Sequence, residues 1–230
     1  RFPQRTRTSS IIREVEPWWR SIARSAATGA SSTSTRATAG VRNGTVVVAP
    51  SEPAARERMH TRRYEFDGYR RDDGLWDIEG RIVDTKGYTF ENKDRGAIPP
   101  GEALHDMEVR LTVDDRFVIR AVEASTNAGP YTVCPHVVAN YRKLEGKRIA
   151  TGWRKTLKEL FAGTEGCTHI TELLGAMATV AFQTIYPVLA REGKTRPAPG
   201  TRPLLIDSCH AFRADGPVVK REWPEHYTGD

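Results

Sequence analysis

Strict alternation of apolar and polar residues between Met107 and Asp114 restricts the fold of this chain more than any other feature. Apolar residues at 107, 109, 111 and 113 alternate with polar residues at 108, 110, 112 and 114. A period of two predicts a β-strand with one face on a core. The turn-forming residues 114–116 and a second apolar run, 117–124, then predict a hairpin. His105 shares the parity of Met107, so we expect its imidazole to point inward.

The rest of the chain predicts further strands followed by three helices. The earlier strands are expected at 64–74, running into a turn, and at 75–86, with a loop at 91–101. Apolar spacing predicts helices from Cys134 to Gly146, over Trp153–Phe161, and from just after Cys167 to Pro187. We therefore predict an α+β fold, with antiparallel strands packed against three C-terminal helices.

Composition divides the chain into three parts. Residues 1–58 are rich in Arg, Ser, Thr and Ala, and we interpret them as a disordered or non-native N-terminal extension. Residues 59–190 are expected to form a single α+β metal-binding domain. Residues 191–230 read as a linker followed by a C-terminal hairpin or extended tail.

Charge and cysteine usage narrow the expected partners and location. The net charge of +6 arises entirely in residues 1–58, which hold ten Arg and four Glu, whereas the remainder balances at 25 basic and 25 acidic residues. A neutral domain does not favour nucleic acid as a partner. No uninterrupted apolar run reaches about 18 residues, so no membrane contact is expected either. Three cysteines indicate a reducing, cytoplasmic location, and a homo-oligomer stays open.

Two cysteines and two histidines form the main chemical hypothesis. Cys134 and Cys167 each stand where a helix is predicted to begin, and the helix dipole there favours the thiolate that binds metals. His105 lies near the end of the alternating strand, and His169 is two residues after Cys167. We predict that these four residues bind Zn or Fe, with Asp106 or water as other options for the fourth ligand. Cys209 and His210 are weaker candidates.

Acidic side chains supply the expected proton carriers and an alternative carboxylate site. Asp106 and Glu123 are the predicted catalytic carboxylates beside the metal. Asp77, Glu79 and Asp84 belong to an acidic series next to several arginines. That series is interpreted first as solvated cross-strand ion pairs and second as a paired-carboxylate site.

Four runs of sequence resemble a known bacterial family of unknown function, numbered 2889. They are HTRRY at 60–64, DGYRRDDGLWDIEG at 67–80, HDMEVRLTVDD at 105–115 and GCTHITELL at 166–174. The order of hairpin, cysteine, helix, cysteine and long helix also resembles NifU/SufU-type iron–sulfur scaffold and zinc sulfur-acceptor proteins. That second resemblance implies a NifU/SufU-like core with an added N-terminal strand region. It places His105 at the first cysteine position, and Cys134 and Cys167 at the next two.

Three functional hypotheses follow. The first is a mononuclear Zn or Fe enzyme, a hydrolase or lyase acting on a small organic substrate, in which Asp106, Glu123 or His169 moves protons. The second, implied by the NifU/SufU resemblance, is a sulfur-transfer or iron–sulfur assembly protein. The third is a structural zinc domain that binds partners, which needs four protein ligands. The imidazole of His105, in place of a soft thiolate, favours the first hypothesis.

Overall fold

The computed structural model describes residues 39–42, 45–48, 51–195 and 200–230. Two units divide the chain, Arg1–Arg56 and Glu57–Asp230. In the first unit, strands β1 (Ala39–Arg42) and β2 (Thr45–Val48) pair antiparallel. The predicted disorder or non-native origin of residues 1–58 falls largely outside the described residues and stays a prediction.

A four-stranded antiparallel sheet forms the centre of the second unit. The strands of this unit are β3 (His60–Arg70), β4 (Trp76–Lys86), β5 (Phe90–Asn92), β6 (Gly96–Ile98), β7 (Ala103–Val113) and β8 (Ile119–Ala128). The sheet has the strand order β3-β4-β7-β8, and the predicted hairpin joins the last two. Strands β5 and β6 form a short hairpin in part of the predicted loop at 91–101.

The alternation in β7 behaves as the sequence predicted. Met107, Val109, Leu111 and Val113 are buried on one face of the sheet, and between them Arg110 is exposed. Strand β4 alternates in the same way. The sheet therefore has one apolar face and one face carrying charged side chains.

Helical segments cover the apolar face, with two differences from the predicted helices. A 3-10 helix, Cys134–Leu144, replaces the first predicted α-helix, and its buried Tyr141 and Leu144 are three residues apart, as three residues per turn requires. Helix α1 spans Trp153–Phe161, as predicted. Helix α2 spans Thr168–Arg191 and continues through Pro187, which lies on its exposed side. There the carbonyl group that loses its N–H partner can bind water.

Helix α2 packs on the sheet and completes the core. Seven of its residues are buried at helical spacing: Ile170, Leu173, Leu174, Met177, Ala181, Ile185 and Leu189. By length and composition alone, α2 is also long and apolar enough to cross a membrane, with a mean hydropathy of 1.6 over its most apolar window. The α+β class with an antiparallel sheet and several helices is therefore confirmed.

The C-terminal hairpin prediction is wrong. Residues 200–230 contain helix α3 (Pro217–Glu222) between two single-turn 3-10 helices, His210–Phe212 and Pro224–His226, and no strand. Pro217 and Pro224 each stand in the first turn of a helix, where the missing N–H costs nothing. The pair Asp215-Gly216 precedes a helix instead of turning a hairpin.

Gly68 allows strand β3 to approach helix α2 closely. A Cβ atom at position 68 would lie only 2.0 Å from Oγ1 of Thr184. We expect Gly68→Ala to lower the free energy of unfolding by about 2 kcal/mol, because helix and strand must separate. Chemical denaturation measures this. Gly175→Ala is the control, since the added carbon meets nothing within 4 Å and should stabilise α2. Equal effects of the two substitutions would contradict the packing argument.

Candidate metal centre

A buried carboxylate, Asp84, lies at the centre of the candidate site. Its side chain shares the inward face of β4 with Ile78 and Ile82, and the residue is 0 % exposed. In the register of β4 and β7, Asp84 pairs with His105, immediately beside a register shift between Asp84 and Thr85. A buried carboxylate needs charged or hydrogen-bonding partners, because burial without them costs several kcal/mol.

Arg62 of β3 is the principal partner of Asp84. Its Nε donates to Oδ1 and its Nη2 to Oδ2, both at 2.8 Å, while its Nη1 donates to Glu172 of α2 at 2.8 Å. His60 adds a contact of 3.3 Å between Nε2 and Oδ1. Burial raises the pKa of Asp84, but the hydrogen bonds and charge of Arg62 outweigh that effect and hold the pKa below its usual value. Asp84 is therefore an ionised acceptor.

Two histidines converge on the same carboxylate oxygen. Nδ1 of His105 lies 3.1 Å and Nε2 of His169 lies 3.5 Å from Oδ2 of Asp84. The two rings are tilted by 30° relative to each other, with their centroids 3.9 Å apart. One ligand atom from each of the three residues falls within 4.8 Å of the others, the arrangement a single metal ion requires.

One atom in this cluster lacks a hydrogen-bond partner. Although Nδ1 of His105 is close to Asp84, it is one of two buried side-chain polar atoms in the described residues that make no hydrogen bond, the other being Oγ1 of Thr126. Buried polar atoms are nearly always satisfied, so an orphaned ring nitrogen requires an explanation. A bound metal supplies one, since it would accept the lone pair of that nitrogen.

Both imidazoles are in the protonation state that binds metal. Burial, followed by the charge of His169, lowers the pKa of His105 to about 4. Burial, followed by the charge of Arg62, also lowers the pKa of His169. Neutral rings at pH 7 retain a nitrogen lone pair for coordination.

Tyr141 fixes the start of helix α2, which carries His169. Its hydroxyl accepts the N–H of Cys167 at 2.7 Å and lies 2.9 Å from the Cys167 carbonyl oxygen and 3.0 Å from Oγ1 of Thr171. Tyr141 itself is fully buried in the core. The 3-10 helix thus holds the first turn of α2 against β7, and His169 takes its place beside His105.

The structure brings together part of the metal-ligand set that the sequence predicted. His105 and His169 are in the cluster, and Sγ of Cys167 lies 3.8 Å from Nδ1 of His169, on the other side of that ring. Cys134 is not part of the cluster. Its sulfur lies beside Gly129, where an added Cβ would be 3.3 Å away. Although the end of β8 lies opposite Asp106 of β7, the sulfur of Cys134 is not among the ligand atoms that fall within 4.8 Å of one another.

The two predicted catalytic carboxylates lie on the opposite face of the sheet. Asp106 binds Arg81 at 2.9 and 2.7 Å, and Glu123 binds Arg110 at 2.9 Å. Adjacent residues of a strand point to opposite faces, so the inward His105 directs Asp106 outward. The assignment of Asp106 and Glu123 as proton carriers at the metal is therefore corrected: both form ion pairs on the charged face.

Sequence reasoning missed Asp84 and Arg62. The ion-pair interpretation of the acidic series holds for Asp77 and Glu79, which contact Arg71 and Arg110. It holds only in part for Asp84, which forms a cross-strand ion pair with Arg62 but is buried, because it has the parity of Ile78 and Ile82 and so faces the core. That parity was the available signal. No comparable signal marks Arg62, because its neighbours on β3 show little burial.

Comparison with known families now identifies the domain. The family model described as "Protein of unknown function (DUF2889)" matches residues 60–183, more than half of the chain. The chain belongs to the DUF2889 family. The match covers β3 through most of α2 and includes Asp84, His105 and His169. No curated protein and no solved structure matches the chain. The NifU/SufU resemblance and a bacterial origin consequently gain no support from known relatives of this DUF2889 domain.

Proposed function

We propose that this domain binds one Zn²⁺ or Fe²⁺ ion through Asp84, His105 and His169, and uses it to transform a small organic molecule. The observation that carries the proposal is the convergence of Nδ1 of His105 and Nε2 of His169 on Oδ2 of the buried Asp84, at 3.1 and 3.5 Å. The ligands come from β4, β7 and α2, three elements of the rigid core. A site on such elements is preorganised for one ion.

The donor set favours a catalytic metal over a structural one. Two imidazoles and one carboxylate leave coordination positions open, as in catalytic zinc sites and in non-haem iron sites. A metal with open positions can polarise a carbonyl oxygen or lower the pKa of bound water. A structural zinc site needs a fourth protein ligand, and an assembly scaffold needs more thiolates. Both alternatives are therefore less favoured.

Arg62 limits the charge of the site without excluding a cation. Its guanidinium repels a dication, yet Asp84 and Glu172 together outweigh it by one negative charge. Each carboxylate oxygen accepts more than one partner, so Oδ2 can bind both Nη2 of Arg62 and a metal. The two hydrogen bonds from Arg62 also fix the orientation of Asp84, as hydrogen bonds to ligating carboxylates commonly do.

An apolar groove beside Glu172 offers space for the substrate. It runs between β3 and helix α1 along the first half of α2. Its main lining residues are Tyr64, Phe66, Leu157, Phe161, Gly175 and Ala176, with Arg154 and Lys158 also contributing. Apolar walls with a few charged groups are typical of sites for small organic molecules. Glu172 lines the groove and accepts a hydrogen bond from Arg62, which in turn donates to the proposed ligand Asp84.

Metal content tests the proposal directly. The full chain, purified without oxygen, is expected to contain about one Zn or Fe per chain and no labile sulfide. Elemental analysis and an absorption spectrum measure both. A chain that neither retains Zn or Fe nor binds either on titration would overturn the proposal, and labile sulfide with a visible chromophore would favour cluster assembly instead.

A further inference from the structure

A second group of metal-binding atoms lies on the other side of His169. Sγ of Cys167 is 3.7 Å from Sδ of Met107 and 3.8 Å from Nδ1 of His169. Met107 is 1 % exposed, and its thioether comes from β7, whereas the other two residues come from the start of α2. The cluster therefore joins two sulfurs and one imidazole nitrogen from two core elements.

The spacing of these atoms fits a small metal ion. A metal bound to two sulfurs at about 2.3 Å holds them about 3.8 Å apart in tetrahedral geometry and about 4.0 Å apart in trigonal geometry. The observed Sγ–Sδ separation of 3.7 Å lies close to the tetrahedral value. Only a small adjustment would then be needed to coordinate an ion.

The chemistry of the donors selects a soft ion. Thiolate and thioether ligands prefer Cu(I), whereas the usual protein ligands of Zn²⁺ are thiolate, imidazole and carboxylate, without thioether.

We propose that Cys167 Sγ, Met107 Sδ and His169 Nδ1 form a binding site for Cu(I). The thiol proton passes to solvent as the sulfur–copper bond forms, and the metal keeps its oxidation state. Solvent has access because Cys167 is only partly buried. This site is distinct from the Asp84, His105 and His169 centre but shares one ring with it.

The shared ring makes the two sites mutually exclusive for a neutral imidazole. A neutral imidazole has one lone pair. When Nδ1 of His169 binds Cu(I), Nε2 carries the proton and faces Oδ2 of Asp84 at 3.5 Å. When Nε2 binds the divalent metal, Nδ1 carries the proton. Cu(I) would therefore displace a metal ligand from the first centre and lower its affinity for Zn²⁺.

Competition titration with Cu(I) tests this site. The full chain is titrated anaerobically against the chromophoric chelator bicinchoninate, and one Cu(I) per chain is expected. Met107→Leu conserves volume and should weaken binding at least tenfold, and Cys167→Ala should abolish it. Met177 is the other buried methionine and lies on α2, so Met177→Leu is the matched control and should bind Cu(I) like the wild type. Circular dichroism confirms the fold of each variant.

Two further measurements keep the outcomes separate. X-ray absorption of the copper-loaded chain should show two sulfur ligands at about 2.3 Å, and one sulfur only would overturn the proposal. Unchanged Cu(I) affinity in Met107→Leu would do the same. Asp84→Asn should keep Cu(I) binding while losing Zn²⁺, so failure of the divalent centre and failure of the copper site are distinguishable.

Discussion

Replacing Asp84 with asparagine is expected to lower the affinity for Zn²⁺ or Fe²⁺ by about 100-fold or more. Loss of a residue that only supports a ligand already costs about 10- to 100-fold, and Asp84 is proposed as a ligand itself. The amide removes the negative charge that attracts the ion while keeping the size of the side chain. Equilibrium competition with a chelator measures the change. Wild-type affinity in this variant would exclude Asp84 as a ligand.

The same substitution should also destabilise the metal-free protein. Asp84 is fully buried and accepts the two-pronged hydrogen bond of Arg62, so asparagine removes the buried one of the two carboxylates that pair with the guanidinium and leaves only Glu172. We expect a loss of about 3 kcal/mol in the free energy of unfolding, at the low end for a broken buried pair because Arg62 is partly exposed. Urea denaturation in the presence of a chelator measures this.

Asp77→Asn is the matched control for both effects. Asp77 is on the same strand as Asp84 but faces outward, where it contacts Arg71 and Thr112. Its replacement should leave metal affinity unchanged and cost about 1 kcal/mol, because the Arg71 partner is exposed and asparagine can still accept the hydrogen bond of Thr112. Equal losses at positions 77 and 84 would mean that the metal responds to general charge on β4 and not to a ligand.

Local sequence pattern predicted most of the fold because the sheet and helices have clear periodicities. Alternation defined β7, and apolar spacing defined α1 and the start of α2. The errors occurred where two local signals competed. Pro187 read as a helix end, but only one backbone hydrogen bond is lost there and the exposed side tolerates it. Asp215-Gly216 read as a hairpin turn, but the following Pro217 begins a helix.

The site could be predicted only in part, because its side chains come together only where the ends of particular strands and helices lie next to one another in the fold. The inward direction of His105 followed from strand parity, and the place of His169 followed from the start of α2. The same reasoning treated the starts of two helices as equivalent and so included Cys134. Which start approaches β7 is decided by the packing of Tyr141 against the beginning of α2, a contact across 26 residues. No local pattern encodes such a contact.

Comparing His105→Ala with Cys134→Ala distinguishes the proposed Asp84, His105 and His169 centre from the cysteine-containing one that the sequence suggested. His105→Ala removes a proposed ligand and should weaken Zn²⁺ binding by about 100-fold or more. Cys134→Ala should bind Zn²⁺ like the wild type, because its sulfur lies beside Gly129 and outside the cluster. Both are measured by chelator competition, with thermal unfolding as the check that each variant folds.

A cysteine-rich centre would give similar losses of metal for both substitutions. If Cys134 were a ligand, its loss would cost as much metal affinity as the loss of His105. In the Co²⁺-substituted protein, the thiolate-to-metal absorption band would also disappear in Cys134→Ala. With Asp84, His105 and His169 as the ligands, a Co²⁺-substituted protein has no thiolate-to-metal band to lose. Retention of the Co²⁺ spectrum in Cys134→Ala, together with its loss in His105→Ala, is therefore the expected result. A spectrum that depends on Cys134 would reinstate the sulfur-rich site.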